Sequence, residues 1–472
     1  MLPSVVVLLM FISGTCAENP AIQFVLTNKG LQKGKHRVTD WIQQHLENVT
    51  LPDISSDIHI PILGNIHYTL TDISITKCDL PEPSVEFYPN VTGFKTSISG
   101  LSVALTGEWE THYHIIHDGG SLDMAVFDLN VISAVELGKD AGGHLSVSSI
   151  SCDAQVGDVD VRFHGGDSWI FQPFVKYFKR QIIGKIQKSI CPSVEEMIVT
   201  LESHLQAMNV SFDVNQLLSL DLNLTSVPVV DATSLNLGLK GEFYNIRTHS
   251  EPPFKPKSFT LPEQQGYMMS VGLSEFTLNS ASYGYYSAGL LQVDINDSMI
   301  PPYCPVHLNT TSMGRYIPQL PKLFPGLPMS LKVYARQVPV FFFQSDVVKL
   351  GLQGSVKAFA IQRNGTQTPL LTLDVDSGFS GKMWIIDGRL KGMVKMDNVT
   401  LKLVASEVGS FSTDTMEKDL RLGLPVVLAK TVNKVLAQGL VLPRFKQAQL
   451  VNSVLKVKEG FMAVSSDVEV YF

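Results

Sequence analysis

Long stretches of the chain alternate apolar and polar residues with a period of two. Residues 121–137 (SLDMAVFDLNVISAVEL) and 156–164 (VGDVDVRFH) alternate for most of their length. Residues 371–404 read as successive strands separated by glycine-containing turns. Successive side chains on a pleated strand point to opposite faces, so these runs predict half-buried antiparallel sheet. Other stretches carry apolar residues at helical spacing. Leu31, Val38, Trp41, Ile42, Leu46 and Val49 share one helix face, and Pro52 marks its end. A longer stripe runs Phe171, Phe174, Val175, Phe178, Ile182, Ile186, Ile190, Val194, Met197, Leu201, Leu205, Met208. At the helical rise it would extend about 55 Å, and Pro192 inside it predicts a kink or break. A third stripe runs Met416, Leu420, Leu424, Val427, Leu428, Val432, Val435, with Pro425 inside.

The second and third stripes each follow a strand-rich region, carry Lys or Arg on the polar face and contain one proline. This predicts two versions of one architecture: strands, a helix, more strands, then a long helix. The first helix of the second version is expected within Met313–Phe324. Between the halves, Pro252, Pro253, Pro256 and Pro262 stiffen the segment EPPFKPKSFTLP. The division expected is 1–17, 18–246, a linker at 247–266, and 267–472.

Charge is uneven between the halves. Residues 1–246 hold 14 Lys+Arg against 27 Asp+Glu, or −13; residues 247–472 hold 23 against 17, or +6. An acidic front half argues against nucleic acid, whose phosphates need Lys and Arg. Mean hydropathy is slightly positive, which fits either a large core or an apolar ligand cavity. Val5 to Ile12 is apolar but too short to span a bilayer, and Thr15-Cys16-Ala17 fits a signal-peptidase site. The expectation is export to the extracellular space with residues 1–17 removed. Eight glycosylation sequons agree: Asn48, Asn90, Asn209, Asn223, Asn296, Asn309, Asn364 and Asn398. Beyond the leader only Cys78, Cys152, Cys191 and Cys304 remain, too few for a disulfide scaffold.

Several segments resemble the bactericidal/permeability-increasing protein and lipopolysaccharide-binding protein family, whose relatives transfer phospholipid and cholesteryl ester. They are Asn28-Lys29-Gly30-Leu31, LPDISSDIHIPILGNIHYTL at 51–70, GEWETHYHIIHDGGSLDMAV at 107–126, SISC, SICP, LKGEFYNIRTHSEPPFKPKSFTLP at 239–262, and the terminal SDVEVYF. The resemblance covers essentially the whole chain after the leader. It implies an α+β fold: an elongated boomerang of two similar barrel domains. Each barrel is a twisted antiparallel sheet with two helices, and the two are joined by a central sheet and the Pro-rich linker. Each half would hold an apolar pocket for phospholipid acyl chains. The expected partners are lipopolysaccharide, phospholipid and the bacterial outer membrane; the chain would act as a monomer without other cofactor or metal. Phospholipid transfer without strong endotoxin affinity is the alternative. The resemblance also implies a disulfide between Cys152 and Cys191. Cys78 matches a buried family position and Cys304 matches none.

In this family, lipopolysaccharide binding is attributed to Lys/Arg clusters at the tip of the first domain, where cations meet lipid A phosphates. The matching hairpin at 107–120 instead carries Glu108, Glu110, His112, His114 and His117, with Trp109 and Tyr113 retained. The neighbouring 51–66 segment has no Lys or Arg. Trp109, His112, Tyr113, His114 and His117 are the candidate lipopolysaccharide contacts. The histidines fit a solvated hairpin, a tip that gains charge on acidification, or a metal site. Trp169, Phe171, Phe174, Tyr177 and Phe178 form either core or pocket wall, and Trp169, Phe171, Phe174 and Phe178 are the candidates for lipid contact. Lys322, Lys332, Arg336, Lys382, Arg389, Lys391 and Lys395 make the second half basic, as ordinary solvated surface or as an anionic-lipid contact. Gly166-Asp167-Ser168-Trp169 looks like an esterase block, but Asp167 or Ser168 as a helix N-cap accounts for it. No nucleophile elbow, zinc spacing or phosphate loop appears, so no enzymatic activity is expected.

Overall fold

A computed structural model describes residues 18–46, 51–61, 64–113, 116–262, 266–300, 306–442, 444–445 and 448–470. Ile22–Thr27 (β1) leads into the helix Asn28–Leu46 (α1). Then come Ile54–Ile60 (β2), Gly64–Asp79 (β3), Ser84–Tyr88 (β4), Gly93–Tyr113 (β5), Ile116–Lys139 (β6), Leu145–Gln155 (β7) and Asp158–His164 (β8). Val175–Gln206 (α2) closes this unit. The next segments are Ser211–Asp213 (β9), Leu218–Asp221 (β10), Val229–Val230 (β11), Ser234–Leu239 (β12) and Glu242–Asn245 (β13). The second unit begins with Met269–Ser274 (β14) and the helix Glu275–Ser287 (α3). It continues through Gln292–Asn296 (β15), Met329–Ala335 (β16), Val340–Gln344 (β17), Val347–Ile361 (β18), Gln367–Ile386 (β19) and Arg389–Ser406 (β20). Asp414–Lys430 (α4) and Val432–Gln438 (α5) precede Leu440–Val441 (β21), Arg444–Phe445 (β22), Ala448–Lys458 (β23) and Phe461–Val470 (β24).

Two long antiparallel sheets, β2-β3-β5-β6-β7 and β15-β16-β18-β19-β20-β21, form the two barrels, and the fold is α+β. The alternation read from 121–137 and 371–404 belongs to β6 and to the β19–β20 hairpin. The hairpin turns at Asp387-Gly388, both at positive φ (51° and 65°), the backbone a tight two-residue turn requires.

A third sheet joins the barrels in the order β11-β12-β1-β14-β24-β23-β22. At its centre β1 and β14 run antiparallel, with Phe24 opposite Val271. Each leads straight into a helix and is flanked outside by a later strand of its own half, β12 or β24. The counterpart of α1 is therefore α3, and not a helix within Met313–Phe324. That interval holds only the end of one single-turn helix and another at Leu320–Leu323. They fill the end of the second barrel with Tyr316, Ile317 and Leu320. The prolines there allow a plug but no long helix.

Pro192 does not break α2, which runs unbroken from Val175 to Gln206. Its first half is anchored by Phe178, Ile182 and Ile186 in the core. Cys191, bonded to Cys152 of β7 with a Cα–Cα distance of 5.6 Å, holds the helix beside the proline. α4 likewise passes through Pro425; the separation from α5 falls at Thr431. The Pro-rich segment lies along the central sheet. Asn19 and Gln23 donate side-chain bonds to the carbonyls of Pro256 and Phe259. Phe259 stacks on Phe461 at 4.8 Å. Gly272 permits this crossing, because a Cβ there would sit 2.6 Å from both Phe259 and Leu261.

Candidate lipid-binding sites

The hairpin of β5 and β6 is the candidate tip, and β-sheet parity divides its residues between two faces. Trp109 and Thr111 point inward, whereas Glu108, Glu110 and His112 point out. Trp109 is only 1% exposed. It meets Phe163 edge-on at 5.5 Å and donates its indole Nε1–H to the His164 carbonyl at 3.1 Å. Trp109 is therefore a core residue and no lipopolysaccharide contact. Its alternation with His112 already carried that signal. Gly120 makes the packing possible, since a Cβ there would lie 2.0 Å from the His164 oxygen.

The outer face shows an arrangement that spacing alone did not reveal. Asp57, His67, His112 and His117 are direct register partners across β2, β3, β5 and β6. Their rings form one row: His67 to His112 at 6.3 Å and His112 to His117 at 4.4 Å. Asp57 meets His67 Nδ1 at 2.9 Å and Asp123 meets His164 Nε2 at 3.0 Å. Among the described residues no group of three or more His, Cys, Asp or Glu side chains is placed to hold a metal ion. His114 and the Tyr113 side chain fall outside the described residues. The 51–66 segment is the β2–β3 hairpin.

Inside the first barrel, two separate apolar clusters lie along α2. The distal one packs Tyr68, Trp109, Phe163 and Phe178 with ring centroids 5.3–5.5 Å apart and leaves a void of about 10 Å³. Burial pushes the Tyr68 phenol up to about 12. The other cluster contains Phe87, Leu137, Val147 and Leu235 against the central sheet. α2 enters the first through Phe178, Ile182, Ile186 and Ile190, and the second through Ile198 and Leu205. Met197 and Leu201, beside the covered face of this helix, remain 64% and 49% exposed.

The candidate pocket aromatics fare differently from their grouping in sequence. Phe178 is closed core, Phe174 is half-buried against it, and the Phe171 side chain falls outside the described residues. Trp169 is 73% exposed, a surface position and not a closed-core one. It sits in a single-turn helix ahead of α2, whose short length leaves it on the solvent side. Asp167 occupies that helix's N-cap position but makes no side-chain cap bond; its N–H donates to Asp118 instead.

The second barrel is more open. No residue of α4 or α5 is buried, although Met416, Leu420, Leu424, Val427 and Leu428 form an apolar stripe. Val356, Val375 and Phe379, on the same faces of β18 and β19 as the core residues Ala358 and Leu373, are only partly covered. A further cavity of about 470 Å³ lies under the linker, lined by Pro253, Phe254, Tyr286, Val338, Pro339 and Val340. Two of its polar wall residues are already engaged: Asn279 bonds both ways with the Phe341 backbone, and the Tyr286 hydroxyl donates to the Arg336 carbonyl. No sequence motif marks this cavity, because its walls come from three separate segments.

Of the sequons, Asn90, Asn209, Asn296, Asn364 and Asn398 are exposed. Asn223 and Asn309 are half-buried, the first packed on Gly143 and the second capping a helix through Ser312 N. Asn48 falls outside the described residues. Cys78 is buried in the first core, and Cys304 falls outside the described residues.

Two barrels, each covered by an amphipathic helix and joined through one sheet, are the architecture of a two-domain lipid-binding protein. Residues 30–208 match the N-terminal domain of the LBP / BPI / CETP family and residues 212–470 match its C-terminal domain. The chain is 36% identical to a bactericidal permeability-increasing protein of Sebastes schlegelii, over 98% of both chains. It is 27% identical to a lipopolysaccharide-binding protein of Bos taurus, covering 99% of this chain and 98% of that one. A crystal structure of lipopolysaccharide binding protein superposes with a TM-score of 0.59 at 26% identity, over 96% of this chain and all of the other. The chain belongs to the LBP / BPI / CETP family, and it is a lipid-binding protein, not an enzyme.

Proposed function

We propose that this is a secreted innate-immunity protein that holds phospholipid acyl chains in both barrels and binds lipopolysaccharide. The observation that carries the acyl-chain reading is the incompletely buried apolar surface of the helices that cover the barrels, with Met197 and Leu201 of α2 exposed and the α4 stripe Met416, Leu420, Leu424, Val427 and Leu428 only half-buried. Apolar side chains left uncovered on such a helix forgo roughly 25 cal/mol per Å² of unburied surface. A lipid chain lying against them restores that burial. Lipopolysaccharide as a ligand is supported by the names of the relatives. The tip lends it no cationic field, because the row at its surface is histidine and carboxylate.

Export is supported by the apolar run at Val5–Ile12. Among the described residues no helix is long and apolar enough to cross a membrane. The protein acts as a monomer, with phospholipid as its only bound group and the bacterial outer membrane as a surface it visits. Solvent extraction of the purified secreted protein followed by mass spectrometry tests the reading, alongside binding to lipopolysaccharide aggregates. Roughly stoichiometric phospholipid with endotoxin affinity supports it. Phospholipid without endotoxin affinity turns it toward lipid transfer, and absence of any lipid refutes the pockets.

A further inference from the structure

The scattered cations of the second half are not equivalent once folded. Arg336 is taken up by Asp374 and Asp376, Arg315 by Asp419, and Arg421 by Glu417. A different set gathers on the outer face of the second barrel. Along the β19–β20 hairpin, Ile386 lies opposite Arg389, Trp384 opposite Lys391, Lys382 opposite Met393 and Ser380 opposite Lys395. The next strands continue the last row, with Lys349 of β18 opposite Ser380 and Phe342 of β17 opposite Lys349. Direct partners share a face, as do residues two apart on one strand. The face therefore presents Lys349, Lys382, Arg389, Lys391 and Lys395 around Phe342, Trp384, Ile386 and Met393.

Both halves of this pattern are unusual for a solvated sheet. Phe342, Trp384, Ile386 and Met393 are 50%, 41%, 48% and 53% exposed. The four strand segments 342–344, 347–349, 380–386 and 389–395 contain no carboxylate. Asp346, Asp387 and Asp397 border them, and only Asp397 reaches a cation of the set, Lys395 at 3.6 Å. Arg389 is turned to the carbonyls of Gln438 and Gly439 at the end of α5. Among the described residues, no carboxylate lies within ion-pair distance of Lys349, Lys382 or Lys391.

We infer that this face docks on a bilayer of anionic phospholipid. Lysine stems lie along apolar surface while their ammonium groups reach out. Tryptophan favours the level between headgroup and acyl chain. A flat sheet face carrying both offers cations to the phosphates and apolar side chains to the boundary beneath them. The inference is independent of the acyl-chain reading, because it concerns the face of these strands that does not carry the core residues Phe343, Val348 and Met383.

The full-length secreted protein is sedimented with phosphatidylcholine vesicles with and without phosphatidylglycerol. The wild type should bind the anionic vesicles, be released by salt, and leave the neutral ones in solution. Each lysine near an anionic surface is worth about 1 kcal/mol. The Lys382→Gln/Lys391→Gln/Lys395→Gln variant should therefore bind roughly a hundredfold more weakly. Trp384→Phe should abolish most of the tryptophan quenching by bromo-lipids while leaving the thermal unfolding curve unchanged. Equal binding to both vesicle types, an unaltered triple variant, or binding to lipopolysaccharide aggregates alone would overturn the inference. Phospholipid extracted from the triple variant should match the wild type. Loss of extractable lipid from the wild type itself would count against the pockets and not against this face.

Discussion

Replacing Trp109 by alanine separates a core residue from a surface contact. The indole is fully enclosed, sits edge-on to Phe163 and donates to the His164 carbonyl. A buried Trp removes about 200 Å² from water, and large-to-alanine changes at such sites cost about 3–5 kcal/mol. The edge-to-face pair adds about 1 kcal/mol. Trp109→Ala should therefore cost about 4–6 kcal/mol, a large share of a domain's usual 5–15 kcal/mol. Trp109→Phe keeps ring packing and loses chiefly the indole hydrogen bond, for about 1–2 kcal/mol. Guanidinium unfolding followed by far-UV circular dichroism measures both, with hydrogen exchange in β5, β6 and β8 reporting where the loss falls. The reasoning is refuted if Trp109→Ala shifts stability by less than about 0.5 kcal/mol, the scale of surface substitutions, while lowering lipopolysaccharide binding.

Three other outcomes can be measured in the same way. The Cys152→Ser/Cys191→Ser variant opens a loop of sequence separation 39 and should lose about 3–4 kcal/mol by the chain-entropy estimate, seen as a lower thermal midpoint. Glu242 is nearly fully enclosed, and burial pushes its carboxyl above the usual range despite Lys240 nearby. Its folded form thus holds the proton more tightly than the unfolded chain, so its contribution is favourable at low pH and is lost as pH rises through the raised value. Glu242→Gln should stabilise the protein by on the order of 1 kcal/mol at neutral pH, with the gain vanishing in acid; a constant difference across pH would contradict this. Met197→Lys places a charge on the exposed apolar surface of α2 that the acyl-chain reading uses. It should cut extractable phospholipid several-fold while leaving unfolding unchanged, since the site is 64% exposed.

Much of the architecture was open to reading along the chain. Period-two alternation marked β6, β8, β19 and β20, and helical spacing marked α1, α2 and α4, because these periods follow from backbone geometry within one element. Four prolines located the strap between the halves, because each restricts its own backbone. The resemblance supplied the Cys152–Cys191 pairing. The candidate site was less legible. Trp109 and His112 look like neighbours in a list of tip residues, yet three positions along a strand put them on opposite faces. Trp169 and Phe178 share a stripe, but a break in the helix leaves one in solvent and the other in the core.

What the sequence alone determined was which segments are strands or helices. Tertiary structure decided which residues meet. It made α3 the partner of α1 by placing β1 against β14. It aligned Asp57, His67, His112 and His117 into one row, and it set Lys349, Lys382, Lys391 and Lys395 around Trp384 and Phe342. The reason is physical: periodicity is a property of one segment, whereas register belongs to pairs of strands far apart in the chain, and a one-residue shift moves every side chain to the other face.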